Sequence, residues 1–422
     1  MRLSKGGISL KYLLKGGRVW SEGVGEVRDL YLEDGKVVAG FTESAADRVI
    51  DVSGKEIFPG FIDLHCHLRE PGFSSKETVK TGTLAAAKGG FTTVLSMPNT
   101  QPVLDNTWEM ENYLRYLEDN TVVRVLPVAP LTKGRAGKEL ADLGSLAKLG
   151  IKFASDDGND ITNVALMRSA LAYATDHGYT VLSHAEELAL ADGYLHAGYL
   201  TRDQGIPGIS SSSESIAVAR NLLLAGEVGA KIHLCHLSAK ESVALLKLAK
   251  ELGIQASAEV TPHHLYFADT EIQAFDTNYK VNPPIREEED RLALREALKT
   301  GLIEAIATDH APHTEKEKGQ SLAAAPFGIS SIEIAASVVN TIFADPALIY
   351  QRLSKGPSQI IGESHELKPG ELADVVVFDP EVSFTVNKEK WVSKGKNSPY
   401  FTKQLKGRVI LTFRGGQIVY EQ

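Results

Sequence analysis

Eight short apolar segments, each followed by a stretch of helical character, repeat along the middle of this 422-residue chain. The segments are FPGFIDLHCH, FTTVLSMP, VVRVLPVAP, GIKFASD, YTVLSHAE, KIHLCHLS, IQASAEVTPH and IEAIATDHA. Helical stretches at 74–90, 163–178 and 239–253 lie between them and end on glycine, as helix C-termini often do. Eight such repeats predict an α/β fold, a closed parallel (β/α)8 TIM-like barrel whose functional residues gather at the carboxyl ends of the strands.

The two ends of the chain have a different character, with short alternating strands and tight turns. The N-terminal part contains EDGK between apolar runs, which is a hairpin signal, and the C-terminal part contains ADVVVFDP and GRVILTFRGGQIVYE. We therefore expect a small β-sandwich domain formed by both termini, from residues 1–56 and 365–422, around a barrel at 57–364.

Charge and composition exclude several classes of partner. The net charge is −9 and no basic cluster is present, so neither nucleic acid nor an anionic membrane surface is expected to bind. No apolar run reaches the roughly 18 residues of a membrane span, and no leader peptide is evident. Two cysteines do not make a disulfide framework. We expect a cytoplasmic protein.

Polar side chains stand at the carboxyl ends of the predicted strands. His65 and His67, in DLHCHLREP, are two residues apart in an extended strand, so both imidazoles face the same way. Further candidates are one carboxylate of SDDG (155–158), His184, His236 and Asp309. Imidazole and carboxylate are ligands that suit Zn²⁺. A buried core histidine would explain any one of them, but their convergence predicts a site for one or two metal ions.

Two of these segments, DLHCHLREP (63–71) and ATDHAPHTEKEK (307–318), closely resemble the signature segments of dihydroorotases, which are metal-dependent barrels of the amidohydrolase superfamily. The resemblance covers essentially the whole chain, including MPNT, SDDG, VNPPIR and PFG, and is closest to the longer bacterial type. It implies zinc, one or two ions per subunit. It also implies reversible hydrolysis of the cyclic amide of dihydroorotate to N-carbamoyl-aspartate in pyrimidine biosynthesis.

The fourth strand departs from the wider superfamily. Hydantoinases and many relatives bridge two metal ions with a carboxylated lysine two residues before an aromatic residue. Here Ile151 stands two before Phe153, while Lys152 is adjacent and alternates to the other face. The resemblance then gives the bridging role to Asp157, with a carboxylated Lys152 as the alternative. Occupancy by one or two metal ions stays open.

The resemblance further implies the catalytic and substrate-binding residues. Asp309 would take a proton from the attacking water and return it to the departing ring nitrogen; a purely structural ligand is the alternative. Arg69, Asn99 and His313 would bind the substrate carboxylate. For Arg69 the alternative is a surface salt bridge with Glu70 or another neighbour.

Weaker contacts and partners also follow from the resemblance. Asn282 and the backbone at Phe327 and Gly328 would meet the amide edges of the ring, and the stretch 313–328 is either a lid or a plain loop. A homo-oligomer or a complex with aspartate transcarbamoylase is a further expectation. The rival interpretations are a hydantoinase or allantoinase, and a metal-stabilised scaffold subunit.

Overall fold

The computed structural model describes residues 10–273 and 275–422. The N-terminal strands are β1 (Tyr12–Ser21), β2 (Val24–Glu33), β3 (Lys36–Val38), β4 (Arg48–Asp51) and β5 (Glu56–Pro59). The central strands are β6 (Phe61–Cys66), β7 (Phe91–Ser96), β8 (Arg124–Pro127), β9 (Phe153–Ala154), β10 (Thr180–Ser183), β11 (Leu195–His196), β12 (Gly208–Ile209), β13 (Lys231–Leu234), β14 (Ala256–Val260) and β15 (Ala305–Ile306). The C-terminal strands are β16 (Val375–Thr385), β17 (Gln404–Arg414) and β18 (Gln417–Glu421).

Strands from both termini form one sheet, as the alternating ends of the sequence predict. Its order is β18-β17-β16-β5-β1-β2-β3, with β4 paired to β1. The junction is the antiparallel pair of β5 and β16, in which Phe58 faces Val376. Strand β5 begins at residue 56, the last residue of the predicted N-terminal segment, and runs to residue 59. The division into domains at 56/57 and 364/365 stays a prediction.

The eight repeats form a closed parallel barrel. Strands β6, β7 and β8 pair in one run, and β9, β10, β13, β14 and β15 pair in a second. Parallel bridges between Ala129 and Ala154 and between Cys66 and His310 join the two runs. Asp63 strengthens the second junction, because its carboxylate accepts hydrogen bonds from the backbone N–H and the hydroxyl of Thr308.

The helices are, in chain order, α1 (Val79–Lys88), α2 (Thr107–Asn120), α3 (Leu143–Ala147), α4 (Val164–Asp176), α5 (Tyr199–Gln204), α6 (Ser211–Val228), α7 (Lys240–Glu251), α8 (Pro262–Tyr266), α9 (Glu288–Thr300), α10 (Glu315–Lys318), α11 (Ala335–Phe343), α12 (Pro346–Ile349) and α13 (Gly356–Ile361). The three helices expected from the sequence are α1, α4 and α7. Thr78 caps α1 by accepting from the N–H of Thr81. Gly178 and Gly253 follow α4 and α7 at φ values of 74° and 75°, the left-handed conformation that ends a helix.

Side chains from strands around the barrel fill its interior and leave the polar strand ends at the mouth. The interior cluster includes Ile62, Leu64, Leu95, Val128, Phe153, Leu182 and Ala305. A larger cluster packs the outer strand faces against the helices. The apolar core therefore holds the strand ends at fixed separations.

Within residues 10–273 and 275–422, no helix has the length and apolar character needed to cross a bilayer.

Candidate metal centre

Two of the six predicted metal ligands lie in strained backbone just after their strands. His236 follows β13 at φ 36° and Asp309 follows β15 at φ 43°, both in the left-handed region. Arg69, two residues after His67, has φ 63°. Residues other than glycine in this region cost of the order of 1–3 kcal/mol each, and such outliers cluster at functional sites. The surrounding fold must hold these residues in place and offset this cost.

Asp157 lies at the centre of four imidazoles. Its Oδ1 is 3.1 Å from Nε2 of His65, 3.7 Å from Nδ1 of His184 and 3.8 Å from Nε2 of His236. Its Oδ2 is 3.6 Å from Nε2 of His67. Because its two oxygens face different histidines, this carboxylate has the placement that a ligand shared by two ions needs.

Asp309 is the second carboxylate that faces His65 and His67. Its Oδ1 lies 3.0 Å from Nε2 of His67 and 3.6 Å from Nε2 of His65. Nδ1 of His184 and Nε2 of His236 are 3.0 Å apart. The structure therefore brings together all six side chains that the sequence proposes as ligands. Five of them form two sets that share His65, one with Asp157 and His236 and the other with His67 and Asp309. His184 joins the first set through its contacts with His236 and Asp157.

The unpaired atoms of the cluster fit a cation. Nε2 of His65 and Oδ1 of Asp157 are buried, and neither has a hydrogen-bond partner among residues 10–273 and 275–422. Ligands about 2.0–2.1 Å from one tetrahedral zinc ion lie roughly 3.3 Å from each other. The ligand atoms in this cluster are 3.0–3.8 Å apart. Nitrogen and carboxylate ligands at these separations suit a divalent ion.

The geometry of SDDG separates its two aspartates. Asp156 turns away from the histidines and accepts hydrogen bonds from the backbone N–H groups of Leu131 and Thr132, at 2.8 and 3.0 Å. Asp157 alone faces the imidazoles. Lys152 is exposed to solvent, so its amine points away from the barrel mouth.

A third group of potential ligands, His65, Cys235 and Glu259, does not suit a metal ion. Burial raises the pKa of the Cys235 thiol to about 12, and a thiol rather than a thiolate is a poor ligand. Glu259 has both oxygens engaged: Oε1 lies 3.1 Å from Nδ1 of His65 and Oε2 lies 3.0 Å from Nε2 of His233. Glu259 therefore orients His65 from behind.

Each of three candidate ligand histidines has an outer polar partner. Asn99 accepts at Oδ1 from Nδ1 of His67, at 2.8 Å. Glu186 places Oε2 3.5 Å from Nε2 of His184. With Glu259 behind His65, these contacts aim the inner ring nitrogens at the cluster. Local sequence identifies neither glutamate as functional, although Glu186 stands two residues after His184 in SHAE.

The two central carboxylates are held ionised. Burial alone would raise the pKa of Asp309, but the adjacent imidazoles of His67 and His65 hold that pKa well below its usual range. The pKa of Asp157 is likewise lowered by His65 and His236 against the effect of burial. Carboxylates that stay charged at neutral pH are the form that binds a cation.

Arg69 extends over the mouth of the barrel beside this cluster. Its Nε donates to the carbonyl of Pro312 at 3.2 Å, and its Nη2 lies 3.3 Å from Nε2 of His313. Burial lowers the pKa of Arg69 to about 10, so the guanidinium stays charged at neutral pH. Glu70 is engaged elsewhere, by the hydroxyl of Ser74 and the backbone N–H of Val79. Among the described residues, Arg69 forms no ion pair.

The remaining predicted substrate contacts lie around the same opening. His313 donates from Nε2 to the carbonyl of Phe327 at 2.8 Å, which occupies its N–H and ties it to the loop. Gly328 has φ 143°, and a Cβ there would lie 2.7 Å from the carbonyl oxygen of Ala311, so only glycine fits. Asn282 donates to Oε1 of Glu186 at 2.9 Å, which links it to His184.

Solved structures with a similar fold include hydantoinases. L-Hydantoinase (dihydropyrimidinase) from Arthrobacter aurescens matches with a TM-score of 0.85 and 24% identity, over 97% of this chain and 96% of that one. A D-hydantoinase matches with a TM-score of 0.84 and 22% identity, over 98% and 95%. At these identities the likeness concerns the fold, and the predicted fold class of a barrel with a terminal β domain is confirmed.

Sequence comparison gives the family. A family model described as Dihydro-orotase-like matches residues 54–242. A protein named dihydroorotase from Caldanaerobacter subterraneus subsp. tengcongensis is 44% identical over 380 residues, which is 89% of this chain and 88% of that relative. Another of the same name, from Pelotomaculum thermopropionicum, is 41% identical over 98% of this chain and 99% of its own length. With this identity over nearly its whole length, the chain belongs to the dihydroorotase family.

Proposed function

We propose that the protein catalyses the reversible hydrolysis of dihydroorotate to N-carbamoyl-aspartate, the activity for which its relatives are named. The observation that carries the proposal is the position of Arg69, a guanidinium near Asp309 and Asp157 that forms no ion pair with any described carboxylate. Dihydroorotate carries a carboxylate on its ring, and hydantoin does not. A substrate anion would complete the coordination of this cation.

The six converging side chains would hold one or two divalent ions. They are His65, His67, Asp157, His184, His236 and Asp309. When bound, zinc polarises an amide carbonyl and makes water a stronger nucleophile at neutral pH. We expect Asp157 to be the shared ligand, because its two oxygens face different histidines.

Asp309 is the proton carrier in this proposal. Its low pKa keeps it ionised, so it can accept a proton as water attacks the ring carbonyl. The bond from carbonyl carbon to ring nitrogen then breaks, and Asp309 returns the proton to that nitrogen. The contact with His67 at 3.0 Å holds the carboxylate in place between the two steps.

Residues around the opening would orient the ring. Arg69 binds the substrate carboxylate, with Asn99 and His313 beside it. Asn282 and the backbone at Phe327 and Gly328 face the amide edges of the substrate. The contacts of these residues support this role. Asn99 contacts His67, and Asn282 contacts Glu186, the partner of His184. His313 contacts both Arg69 and the Phe327 carbonyl.

The broader setting is also part of the proposal. We expect a cytoplasmic enzyme of pyrimidine biosynthesis that uses zinc, either as a homo-oligomer or in a complex with aspartate transcarbamoylase. The domain limits proposed above, 1–56, 57–364 and 365–422, belong to the same set of expectations.

The deciding experiment is a turnover assay of zinc-loaded protein with dihydroorotate and hydantoin side by side. We expect turnover of dihydroorotate and little or none of hydantoin. A preference for hydantoin would overturn the proposal. Size-exclusion chromatography with light scattering, with and without purified aspartate transcarbamoylase, tests the assembly separately.

A further inference from the structure

Two buried lysines hold the loop that carries the substrate-facing backbone at Phe327 and Gly328. The first is Lys318, only 6% exposed, at the end of α10. Its Nζ donates to three backbone carbonyls: that of Lys280 at 3.2 Å and those of Pro326 and Gly328 at 3.0 Å each. An ammonium group has three N–H donors, and here each one has an acceptor.

The second lysine, Lys280, fixes the middle of the same loop and is 2% exposed. Its Nζ donates to the carbonyl of Leu322 at 2.6 Å and to that of Ala323 at 3.3 Å. The same nitrogen lies 4.5 Å from the ring centroid of Phe327 and 4.8 Å from that of Tyr194. A desolvated ammonium between two aromatic rings is attracted to both of them.

The held segment is connected directly to the mouth of the barrel. The Phe327 carbonyl accepts from Nε2 of His313, which in turn lies 3.3 Å from Arg69. Asn397 donates to the Gly328 carbonyl at 3.0 Å and accepts from the backbone N–H of His313 at 2.8 Å. A shift of this backbone would therefore move both His313 and the proposed ring contact.

The partners of these lysines are unusual for buried charges. A buried cation is commonly paired with a carboxylate, because desolvation is costly. In the ranges 10–273 and 275–422, neither Nζ has a carboxylate within ion-pairing distance, and all five of their hydrogen bonds go to main-chain oxygens. Packing alone would be served by an apolar side chain. The bonds instead specify the backbone path of 322–328.

We propose that Lys318 and Lys280 are positioning residues that hold the 322–328 backbone in the conformation that binds the substrate ring. The inference rests on the proposed function for what the segment binds. We call the hydrogen bonds from these two lysines to the 322–328 backbone the loop clamp. Loss of the loop clamp should weaken substrate binding more than it slows the chemical step, because neither lysine contacts the His and Asp cluster. The loss should appear as a higher KM and as faster hydrogen–deuterium exchange of the loop amides.

The test compares Lys318→Met with Lys316→Met in the full-length, zinc-loaded enzyme. Lys316 lies on the same helix and is exposed, so the control makes the same chemical change without touching the clamp. For Lys318→Met we expect KM for dihydroorotate to rise at least about tenfold, as losing charge-assisted hydrogen bonds implies. We expect kcat to stay within about threefold and faster hydrogen–deuterium exchange at 319–328. Lys316→Met should match the wild type in all three.

A second variant keeps the test decisive if Lys318→Met does not fold. Lys318→Arg retains the charge, but its planar fork does not match three converging carbonyls, so the same changes should appear in weaker form. Wild-type KM and exchange in the folded Lys318 variant would overturn the clamp, as would loss of zinc and kcat with KM unchanged. If the wild type does not turn over dihydroorotate, the proposed function fails, and the exchange data still decide whether the lysines hold the loop.

Discussion

Nε2 of His65 lies 3.1 Å from Oδ1 of Asp157, and both atoms are buried without a hydrogen-bond partner in the part of the chain that the structure describes. Leaving a buried polar atom unpaired costs about 1–3 kcal/mol. A divalent cation held by this nitrogen and this carboxylate oxygen would satisfy both atoms. The first three predictions follow from this contact.

Metal removal should abolish turnover and leave the barrel folded. The apolar interior does not depend on the cluster, so circular dichroism should be little changed after dialysis against a chelator. Activity should return when zinc is added back. Elemental analysis showing full activity in a metal-free preparation would contradict this prediction.

Asp157→Ala should lose bound metal and activity together, because this carboxylate faces four imidazoles. Lys152→Ala should keep most activity, since the lysine is exposed and points away from the site. Reconstitution should not require bicarbonate. The assignment is reversed by a mass increase of one carboxyl group on Lys152, or by an inactive Lys152→Ala beside an active Asp157→Ala.

Glu259→Gln should weaken metal binding about 10–100-fold, the usual effect of losing an outer partner of a ligand histidine. The glutamate has both oxygens on histidines, and its pKa is lowered to about 2 by His233 and His65 against the effect of burial. Zinc affinity by competition with a chromophoric chelator measures the loss. Glu241→Gln, the same change on an exposed helix position, is the control. Equal zinc affinity in the two variants would remove Glu259 from the proposed network.

The alternation of His65 and His67 and the positions of other polar residues at strand ends were enough to predict most of the cluster. They were not enough to choose between Asp156 and Asp157, because both end the same strand. The choice depends on backbone donors at Leu131 and Thr132, which capture one carboxylate. Those donors are more than 20 residues away in sequence, and local pattern does not report them.

The residues that support the site from behind could not be predicted from the sequence, for the same reason. Glu259 contacts His65 across 194 residues, and a glutamate in a strand is ordinarily a solvent-facing residue. Lys280 and Lys318 look like surface charges in sequence and are buried in the structure. Residues whose role depends on long-range contacts need the fold before their function can be inferred.

The loop clamp should weaken as pH rises. Burial and then the neighbouring Lys280 lower the pKa of Lys318 to about 7, Asp276 opposes them, and His313 also faces this charge. Below this pKa the ammonium has three donors for three carbonyls, and above it the amine has two. We expect the KM difference between wild type and Lys318→Met to narrow between about pH 6 and pH 9.

The free energy of unfolding should rise with pH, although the loop clamp weakens. The pKa of a lysine in the unfolded chain is about 10.4. Between about pH 7 and 10.4 the unfolded chain therefore binds more protons at this lysine than the folded protein does. This group therefore raises the free energy of unfolding with pH in that window, relative to Lys318→Met. Denaturant unfolding of both proteins across this range measures the difference. A KM ratio and a stability difference that are both independent of pH would show that Lys318 does not titrate there.

Arg69→Met should separate dihydroorotate from uncharged relatives. The guanidinium forms no ion pair among the described residues, so a substrate carboxylate is its natural partner, and a substrate without one leaves a half-buried cation unmatched. Losing one charge-assisted contact costs about 1.5–3 kcal/mol, or roughly one to two powers of ten in kcat/KM. We expect kcat/KM for dihydroorotate to fall by at least that factor, while zinc content and any activity on dihydrouracil stay as in the wild type.

Arg135→Met is the control for a general disturbance of the site. This arginine donates to the backbone carbonyl of Asp157, so its loss should change turnover of both substrates alike. Unchanged turnover of dihydroorotate by Arg69→Met, or an equal loss on both substrates, would remove carboxylate recognition from the function proposed for this site.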